Sequence, residues 1–274
     1  MLELFTPLTG RSLRVGVAPD ALALLRTSVW PHEPARLLGT TRFDAADGPA
    51  AAGAALAGLL AEHRARGWPL RLVLADELVR LWQVTPPQYA TRQADLQGAA
   101  ALRFQALFGA STAGWHVQAD WSATAPFLAA ALPQALLDAL AGAARAQHAP
   151  VVEIVPHFVA TLNRLRRATS ATAWFALVHG KVLSLAVFDR KLLAAVRTTL
   201  IPPAADRAWL EAFVAREALR ANLACPQRLH VHGAAPQGWT GTAERAKFDC
   251  VLSGDAVDPL WPDVALVALS GSRP

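Results

Sequence analysis

Two stretches of the chain repeat one order of predicted elements, and this repeat limits the possible folds more than any other feature. Short apolar or alternating runs bounded by turn residues predict strands, and long alanine- and leucine-rich runs predict helices. The first stretch has strands at 13–17, 21–27 and 35–43, a helix at 50–66 and a strand at 70–75. The second has strands at 174–178, 182–188 and 192–199, a helix at 207–223 and a strand at 228–232. The repeat predicts an α/β protein built from two halves of like architecture.

The spacing of the two repeats supports this interpretation. Leu13 and Leu70 are 57 positions apart, and Trp174 and Arg228 are 54 positions apart. His179-Gly180 and Asp189-Arg190 are predicted as the turns that connect the strands of the second repeat. Three strands, a helix and a further strand at matched spacing are typical of a duplicated RNase-H-like fold.

Further elements separate the two repeats. They are predicted as a strand at 79–84, a helix at 91–108, strands at 115–121 and 127–132, a helix at 133–147, a strand at 151–155 and a helix at 156–163. Residues 115–121 alternate in polarity, so His116, Gln118 and Asp120 are expected on an outer face. Leu136, Leu137, Leu140 and Ala144 form the predicted apolar stripe of the helix that follows Pro133.

The composition excludes several classes of protein. Apolar residues make up 53% of the chain and charged residues 17%, so the chain can bury a large core and is not disordered. Two cysteines, Cys225 and Cys250, are too few for a disulfide framework or a four-cysteine zinc site. No run of about 18 uncharged apolar residues occurs, and the first residues do not resemble a signal peptide. We expect a cytoplasmic protein that does not itself span a membrane.

The charge distribution predicts no nucleic-acid partner. The formal net charge of +5 is modest for 274 residues, and the arginines are scattered along the chain. Arg164, Arg166 and Arg167 form the one tight cluster, which would be either a contact for phosphate or acidic lipid or a solvated helix face. We favour the interpretation that these three arginines lie on a solvated helix face.

Motifs for common catalytic and metal chemistry do not occur. The sequence has neither a Gly-x-x-x-x-Gly-Lys-Ser/Thr loop nor a Gly-x-Gly-x-x-Gly after a strand, and residues 109–114 are predicted as a helix-ending loop rather than a nucleophile turn. His230 and His232 share one strand face and could hold a metal together with Cys250. We favour the alternative, an exposed strand face, and predict no metal.

Several stretches of the chain together resemble a family of actin-like proteins. They are the strand ending at Pro86-Pro87 with its following helix, residues 117–121, residues 127–133, residues 155–163 and the apolar residues 264–271. In this order, from about Leu13 to Leu269, the chain resembles PilM, the cytoplasmic actin-like protein of type IV pilus assembly. It also resembles the related cytoplasmic domain of the type II secretion protein GspL.

The resemblance implies an actin-like fold of two duplicated RNase-H-like domains. The first half would span residues 1–168 and carry a small inserted subdomain at about 77–125, and the second half would span 169–274. The apolar residues 264–271 would form the closing helix of the family.

Actin-like ATPases hold Mg²⁺ and phosphate with an Asp in each of two strand turns, and adenosine with a Gly-Gly loop. At the matching positions this chain has Ala18, with Asp20 two residues late; His179, Gly180 and Lys181, without an acid; and Gly233 followed by Ala234. Because Mg²⁺ prefers carboxylate oxygens, two of the three signatures lack their chemistry. We therefore expect no catalysis and no nucleotide cofactor, with Asp20 and Lys181 as the groups that could contradict this.

In the PilM family, a groove beside the inserted subdomain receives a short N-terminal peptide of a membrane partner. By resemblance, Leu81, Trp82 and Val84, with Phe104 nearby, would bind that partner. The alternative is that these aromatic residues, together with Trp115 and Trp121, only fill the core of the subdomain.

These inferences predict a non-catalytic, actin-like cytoplasmic scaffold of a type IV pilus or type II secretion platform. It would lie at the inner membrane through a membrane-anchored assembly protein, and a motor ATPase would be a second partner. The alternative is an active actin-like ATPase or sugar kinase that binds Mg-ATP in the interdomain cleft. An RNase-H-like nuclease is excluded because it needs acidic residues on the central strands, and 13–17 and 70–75 contain none.

Overall fold

A computed structural model describes residues 10–28, 33–165, 173–239, 246–252 and 260–270. By their contacts the residues form two compact units. Unit 1 comprises residues 1–79, 132–164 and 257–274, and unit 2 comprises residues 80–131 and 165–256. These units follow contacts, whereas the predicted halves follow chain order, and the predicted boundary at residue 168 stays a prediction.

Unit 1 is built on a five-stranded sheet in the order β3-β2-β1-β4-β8. Its strands are β1 (Arg11–Val17), β2 (Ala21–Ser28), β3 (Arg36–Arg42), β4 (Leu70–Leu74) and β8 (Val151–Pro156). The first three strands are antiparallel, and β4 and β8 continue the sheet parallel to β1. The central strands are buried on both faces, which explains their nearly continuous apolar sequences.

The helices of unit 1 are α1 (Pro49–Glu62), α3 (Gln134–Ala146), α4 (His157–Leu165) and α6 (Asp263–Leu269). Helix α1 packs on α3 with its Gly53 against the backbone of Ala139, where an added Cβ would lie 3.0 Å from the carbonyl oxygen. The predicted stripe on α3 is confirmed, since Leu136, Leu137, Leu140 and Ala144 are all buried.

The predicted end of α1 was wrong. The helix ends at Glu62 and not at residue 66, because Arg64 takes a positive φ of 50° that a helix cannot contain. Gly67, with φ of 78°, belongs to the following turn and donates its N–H to the carbonyl of His148.

Unit 2 contains a second five-stranded sheet, in the order β11-β10-β9-β12-β13. Its strands are β9 (Ala173–His179), β10 (Val182–Asp189), β11 (Leu192–Leu200), β12 (Arg228–Gly233) and β13 (Asp249–Leu252), and helix α5 (Arg207–Ala221) precedes β12. As in unit 1, three antiparallel strands are followed by two parallel ones. The repeat predicted from the sequence is therefore confirmed as a repeat of topology.

Both predicted turns of this sheet were shifted by one residue. His179 pairs with Val182, so the first turn is Gly180-Lys181, and Asp189 pairs with Leu192, so the second is Arg190-Lys191. Arg190 and Lys191 both have positive φ, as the mirror-image turn of a two-residue hairpin requires. The second turn was predicted one residue early because arginine and lysine are not residues that favour a positive φ.

The inserted segment forms a three-stranded sheet in the order β5-β7-β6 with one helix packed on it. Its elements are β5 (Arg80–Val84), α2 (Gln93–Phe108), β6 (Trp115–Ala119) and β7 (Phe127–Pro133). The side chain of Gln83 donates to the carbonyl of Leu193 on β11, which ties this subdomain to the second sheet within unit 2. The predicted loop after α2 begins at Gly109, which ends the helix with φ of 69°.

Several polar positions were predicted to lie on the surface. His116, Gln118 and Asp120 are exposed, as the alternation predicted. Arg164 lies in the last turn of α4, whereas Arg166 and Arg167 lie outside the described residues. Over the described ranges, no helix combines the length and the apolar composition needed to cross a bilayer.

Candidate functional site

The turn between β1 and β2 holds the first of the three nucleotide-site positions. Ala18 donates its N–H to the carbonyl of Ala21 at 2.9 Å and thereby closes the turn. Its side chain is 7% exposed and packs in a cluster with residues of β2, β4, α4 and α6: Ala23, Leu25, Val73, Ala75, Ala160, Val264, Ala265, Val267 and Ala268. The position where an ATPase would hold its acid is thus part of an apolar core.

Asp20 does not replace the missing acid. Its carboxylate forms an ion pair with the guanidinium of Arg42 on β3; the side chain of Arg42 is largely exposed and that of Asp20 about half exposed. The carbonyl of Asp20 accepts the N–H of Phe43 at 3.0 Å, so the residue joins the β1–β2 turn to the end of β3. This is a surface contact at the edge of the sheet. It explains the position of Asp20 without any bound ligand.

The second position lies at the β9–β10 turn. His179 is the last residue of β9 and is 8% exposed, whereas Gly180 and Lys181 are exposed. The carbonyl of Lys181 accepts the N–H of Ile201 at 2.7 Å, which fixes the turn against the end of β11. An exposed lysine on a turn without an acid offers a charge for an anion but no ligand for a metal.

Gly233, at the end of β12, has a structural reason to be glycine. Its φ is 85°, and an added Cβ would lie 2.0 Å from the carbonyl oxygen of Val178 on the neighbouring strand β9. No side chain fits at this distance. The one glycine retained from the adenosine signature is therefore explained by the close approach of two strands.

The possible metal group of His230, His232 and Cys250 is not brought together. Cys250 on β13 pairs in register with Leu229 on β12. It therefore lies on the opposite face of the sheet from His230 and His232, where it packs against the core. His232 is 5% exposed and lies beside the ring of Phe175, so the expectation of an exposed strand face was wrong for this residue. Within the described ranges, no group of three or more His, Cys, Asp and Glu side chains could hold a metal.

His230 instead lines a cavity of about 720 Å³ in unit 2. Ala173, Arg228 and Asp249, the first residues of β9, β12 and β13, also line it. The cavity is therefore at the opposite end of these strands from His179 and Gly233, which are the last residues of β9 and β12. Burial, and to a smaller extent the charge of Arg228, lower the pKa of His230.

One buried acid was missed by the sequence analysis. Asp76 is the second residue after β4, is 3% exposed, and accepts the N–H of Phe158 at 3.0 Å. The acceptor therefore caps the N-terminus of α4, where partial positive charge favours an anion. Asp76 lies one residue beyond the predicted strand at 70–75 and therefore outside the segment in which acidic residues were expected.

The four residues predicted to bind a partner are all buried in the subdomain. Leu81 is 5% exposed, and Trp82, Val84 and Phe104 are each 1% exposed. Trp82, Val84 and Phe104 belong to one core that also contains residues of α2 and β7. The Trp82 ring meets Phe104 at 5.2 Å and Phe108 at 6.2 Å between centroids. Partner binding by these four residues stays a prediction. Because they are buried, they could affect a partner only by supporting the surface of the subdomain.

The aromatic residues of the subdomain also contact a cation, Arg80, that was not predicted from the sequence. The guanidinium of Arg80 lies 5.8 Å from the ring centre of Phe108 and 5.7 Å from that of Trp115. On α2, the helix that carries Phe108, Leu102 is 71% exposed and Leu107 is 42% exposed. Helix α2 therefore exposes apolar side chains to solvent, and Phe108 at its C-terminal end is 36% exposed.

Three solved structures share the fold of this chain. The cytoplasmic domain of EpsL, an inner membrane component of the type II secretion system of Vibrio cholerae, is similar with a TM-score of 0.61 and 14% identity, over 95% of this chain and 94% of that one. The PilM–PilN type IV pilus biogenesis complex is similar with a TM-score of 0.60 and 15% identity, over 95% and 96% of the two chains. A Bacteroides thetaiotaomicron protein with an actin-like ATPase fold is similar with a TM-score of 0.62 and 12% identity over the whole of both chains.

By sequence, the chain matches no protein-family model and no curated protein. The structural similarities nevertheless extend over nearly the whole chain. The chain therefore has the actin-like fold that the resemblance implied.

Proposed function

We propose that this protein is a non-catalytic, actin-like scaffold of a type IV pilus or type II secretion platform. It would lie on the cytoplasmic side of the inner membrane and bind a segment of a membrane-anchored assembly protein. Two of the structures that share its fold, the EpsL cytoplasmic domain and the PilM–PilN complex, belong to such machines.

The observation that carries the proposal is the environment of Ala18. A catalytic Asp at this position would need water, Mg²⁺ and phosphate around it. Ala18 is instead buried in one apolar cluster with side chains of β2, β4, α4 and α6. A carboxylate there would be desolvated by its neighbours, so the position is adapted to core packing and not to metal binding.

The two other nucleotide-site positions support the same proposal. The β9–β10 turn contains no acid, and Gly233 is required by its distance to Val178 whether or not adenosine is bound. The nucleotide signatures that survive in the sequence thus have structural explanations.

We further propose that the β5-β7-β6 subdomain carries the partner. Trp82, Val84 and Phe104 would keep its sheet and helix in one fixed arrangement, as a packed aromatic core does. Leu102 and Leu107, which α2 exposes, would supply apolar contact area, and aromatic and cationic groups such as Phe108 and Arg80 are common at interfaces.

A thermal unfolding titration with Mg-ATP tests the non-catalytic part. A ligand at about a hundred times its Kd stabilises the folded state by about 2.7 kcal/mol. We expect no shift of the melting temperature at millimolar Mg-ATP. A magnesium-dependent shift that Lys181→Ala or Asp20→Asn abolishes would favour the active ATPase or sugar kinase.

A peptide-binding assay tests the partner. Synthetic cytoplasmic segments of the membrane-anchored pilus and secretion proteins from the same genome would be labelled and titrated with the full chain. We expect one of them to bind, and Leu102→Asp to weaken it. Leu219→Asp is the matched control, because Leu219 is 82% exposed on α5 of the same unit. Equal effects of the two substitutions, or no binding of any segment, would contradict the proposal.

A further inference from the structure

One arginine on the central strand of unit 1 is buried without a described partner at its Nε. Arg14 lies in the middle of β1 and is 8% exposed. Its Nε is enclosed and has no hydrogen-bond partner among the residues that the structure describes. A buried guanidinium is normally paired, because removing it from water without compensation is unfavourable.

The neighbours of Arg14 add to the positive charge. Arg71 on β4 stands beside it in parallel register, and Glu153 on β8 stands beside Arg71. Arg71 Nη1 donates to Glu153 Oε2 at 2.7 Å, so the acid of this row is already engaged. The row has two cations and one anion, a net charge of +1.

Helix α6 covers this sheet face beside Gly16, and the face is partly open to solvent at Arg71 and Glu153. Gly16, two residues along β1, lies against the backbone of α6, whereas Arg71 and Glu153 keep 41% and 44% of their side chains exposed. The row of Arg14, Arg71 and Glu153 therefore begins where the cover by α6 ends, and it opens to solvent on the side of β4 and β8. Burial and the nearby charge of Arg71 lower the pKa of Arg14 to about 10, in spite of Glu153.

We propose that Arg14 and Arg71 form a binding site for a single carboxylate group, which Arg14 would hold through its planar guanidinium. This inference does not rest on the proposed function, because it concerns the sheet face of unit 1 and not the subdomain. A carboxylate fits better than phosphate for two reasons. It can accept two parallel hydrogen bonds from the terminal Nη groups of the guanidinium, which are the nitrogens that are not enclosed. It also brings one negative charge, which balances the net charge of +1, whereas a phosphate dianion would leave the row with a net charge of −1.

The site has a consequence for the free protein. A desolvated cation without a partner destabilises the fold, and an apolar residue of similar size at such a position often stabilises it. Arg14→Leu should therefore raise the melting temperature of the protein in the absence of carboxylates and abolish their effect. Binding and stability then change in opposite directions, which a purely structural arginine would not show.

The test is an NMR titration of the full chain that follows the arginine Nε–Hε signals. The Arg14 signal would be assigned by its loss in Arg14→Lys, and sodium acetate would be added at constant ionic strength against sodium chloride. We expect the Arg14 signal to shift with acetate in a saturable manner. Arg71→Gln should weaken acetate binding about tenfold or more, because a charge-assisted hydrogen bond contributes at least that factor.

Arg26→Leu is the matched control, since it removes the same charge from the adjacent strand β2. Arg26 pairs in register with Leu13, so it lies on the opposite face of the sheet, where Glu33 neutralises it. We expect this variant to keep the acetate response. A blocked Ala-Glu-Ala peptide that binds more tightly than acetate would identify the source as an acidic protein segment, and the reverse order would identify a small carboxylic acid.

Three results would overturn the proposal. The first is an Arg14 signal that does not respond to acetate or to the peptide. The second is a response to phosphate alone. The third is a melting temperature that Arg14→Leu lowers while the acetate response of the remaining signals persists.

Discussion

Gly16 of β1 lies directly against the carbonyl oxygen of Val264 in α6, and a Cβ on residue 16 would be 2.1 Å from that oxygen. The first strand and the last helix of the described chain therefore touch backbone to backbone. The contact completes the apolar cluster around Ala18, to which α6 contributes Val264, Ala265, Val267 and Ala268. The closing helix predicted from residues 264–271 is confirmed as far as Leu269, and this glycine lets it approach the sheet.

The contact predicts that Gly16→Ala destabilises the protein by about 3 kcal/mol, because neither backbone can move away without opening a packed core. Equilibrium urea unfolding would measure the loss. Gly58→Ala is the control, since Gly58 lies in the middle of α1 with open space around it. That change should raise the free energy of unfolding by about 0.5–1 kcal/mol. Similar values for the two variants would contradict the close approach.

Gly233→Ala should lower the free energy of unfolding even when no nucleotide is present. The substitution combines a positive φ with an overlap with Val178. Gly67→Ala isolates the first term, because Gly67 has a φ of 78° but no atom near its Cβ position. We expect Gly67→Ala to cost about 1–2 kcal/mol and Gly233→Ala clearly more. If both cost the same in a thermal melt, the packing argument for Gly233 fails.

Ala18→Asp should destabilise the protein without creating Mg-ATP binding. The new carboxyl would be buried among apolar side chains, at a cost of about 3 kcal/mol at neutral pH. Asp20→Asn, two residues away, breaks only an exposed ion pair and should change stability by less than about 1 kcal/mol. Both variants would be melted with and without Mg-ATP. Stabilisation of Ala18→Asp by Mg-ATP would show that the turn can still hold a metal.

Acidification should destabilise unit 2 through His230. Its pKa is lowered in the folded state, whereas an unfolded histidine titrates near pH 6.5. Below about pH 6.5 the unfolded state therefore binds more protons, and stability is lost as pH falls toward the folded pKa. His230→Gln should flatten the decline of melting temperature between pH 7.5 and 5.5. Asp189, Arg190 and Asp249 line the same cavity and are unchanged in this comparison. An unaltered slope would contradict the role of burial.

Much of the fold followed from the sequence, because periodicity and turn residues act locally. The order of strands and helices, the matched repeats and the buried stripe of α3 all depend on residues a few positions apart. Element ends were less accurate, as at Glu62 and in the second β-turn of unit 2, because Arg64, Arg190 and Lys191 adopt a positive φ that their residue types do not favour.

The chemistry of individual positions was decided by the tertiary structure. The sequence alone showed that Ala18 is not an acid, but only the fold buries it in an apolar cluster with residues of four other elements. Likewise, the sequence placed His230, His232 and Cys250 within reach of each other, and the register of β12 with β13 put the cysteine on the opposite face. The burial of Arg14 and the distance from Gly16 to Val264 arise between segments far apart in sequence. Local pattern therefore determined which elements form, and long-range packing determined which side chains remain able to bind anything.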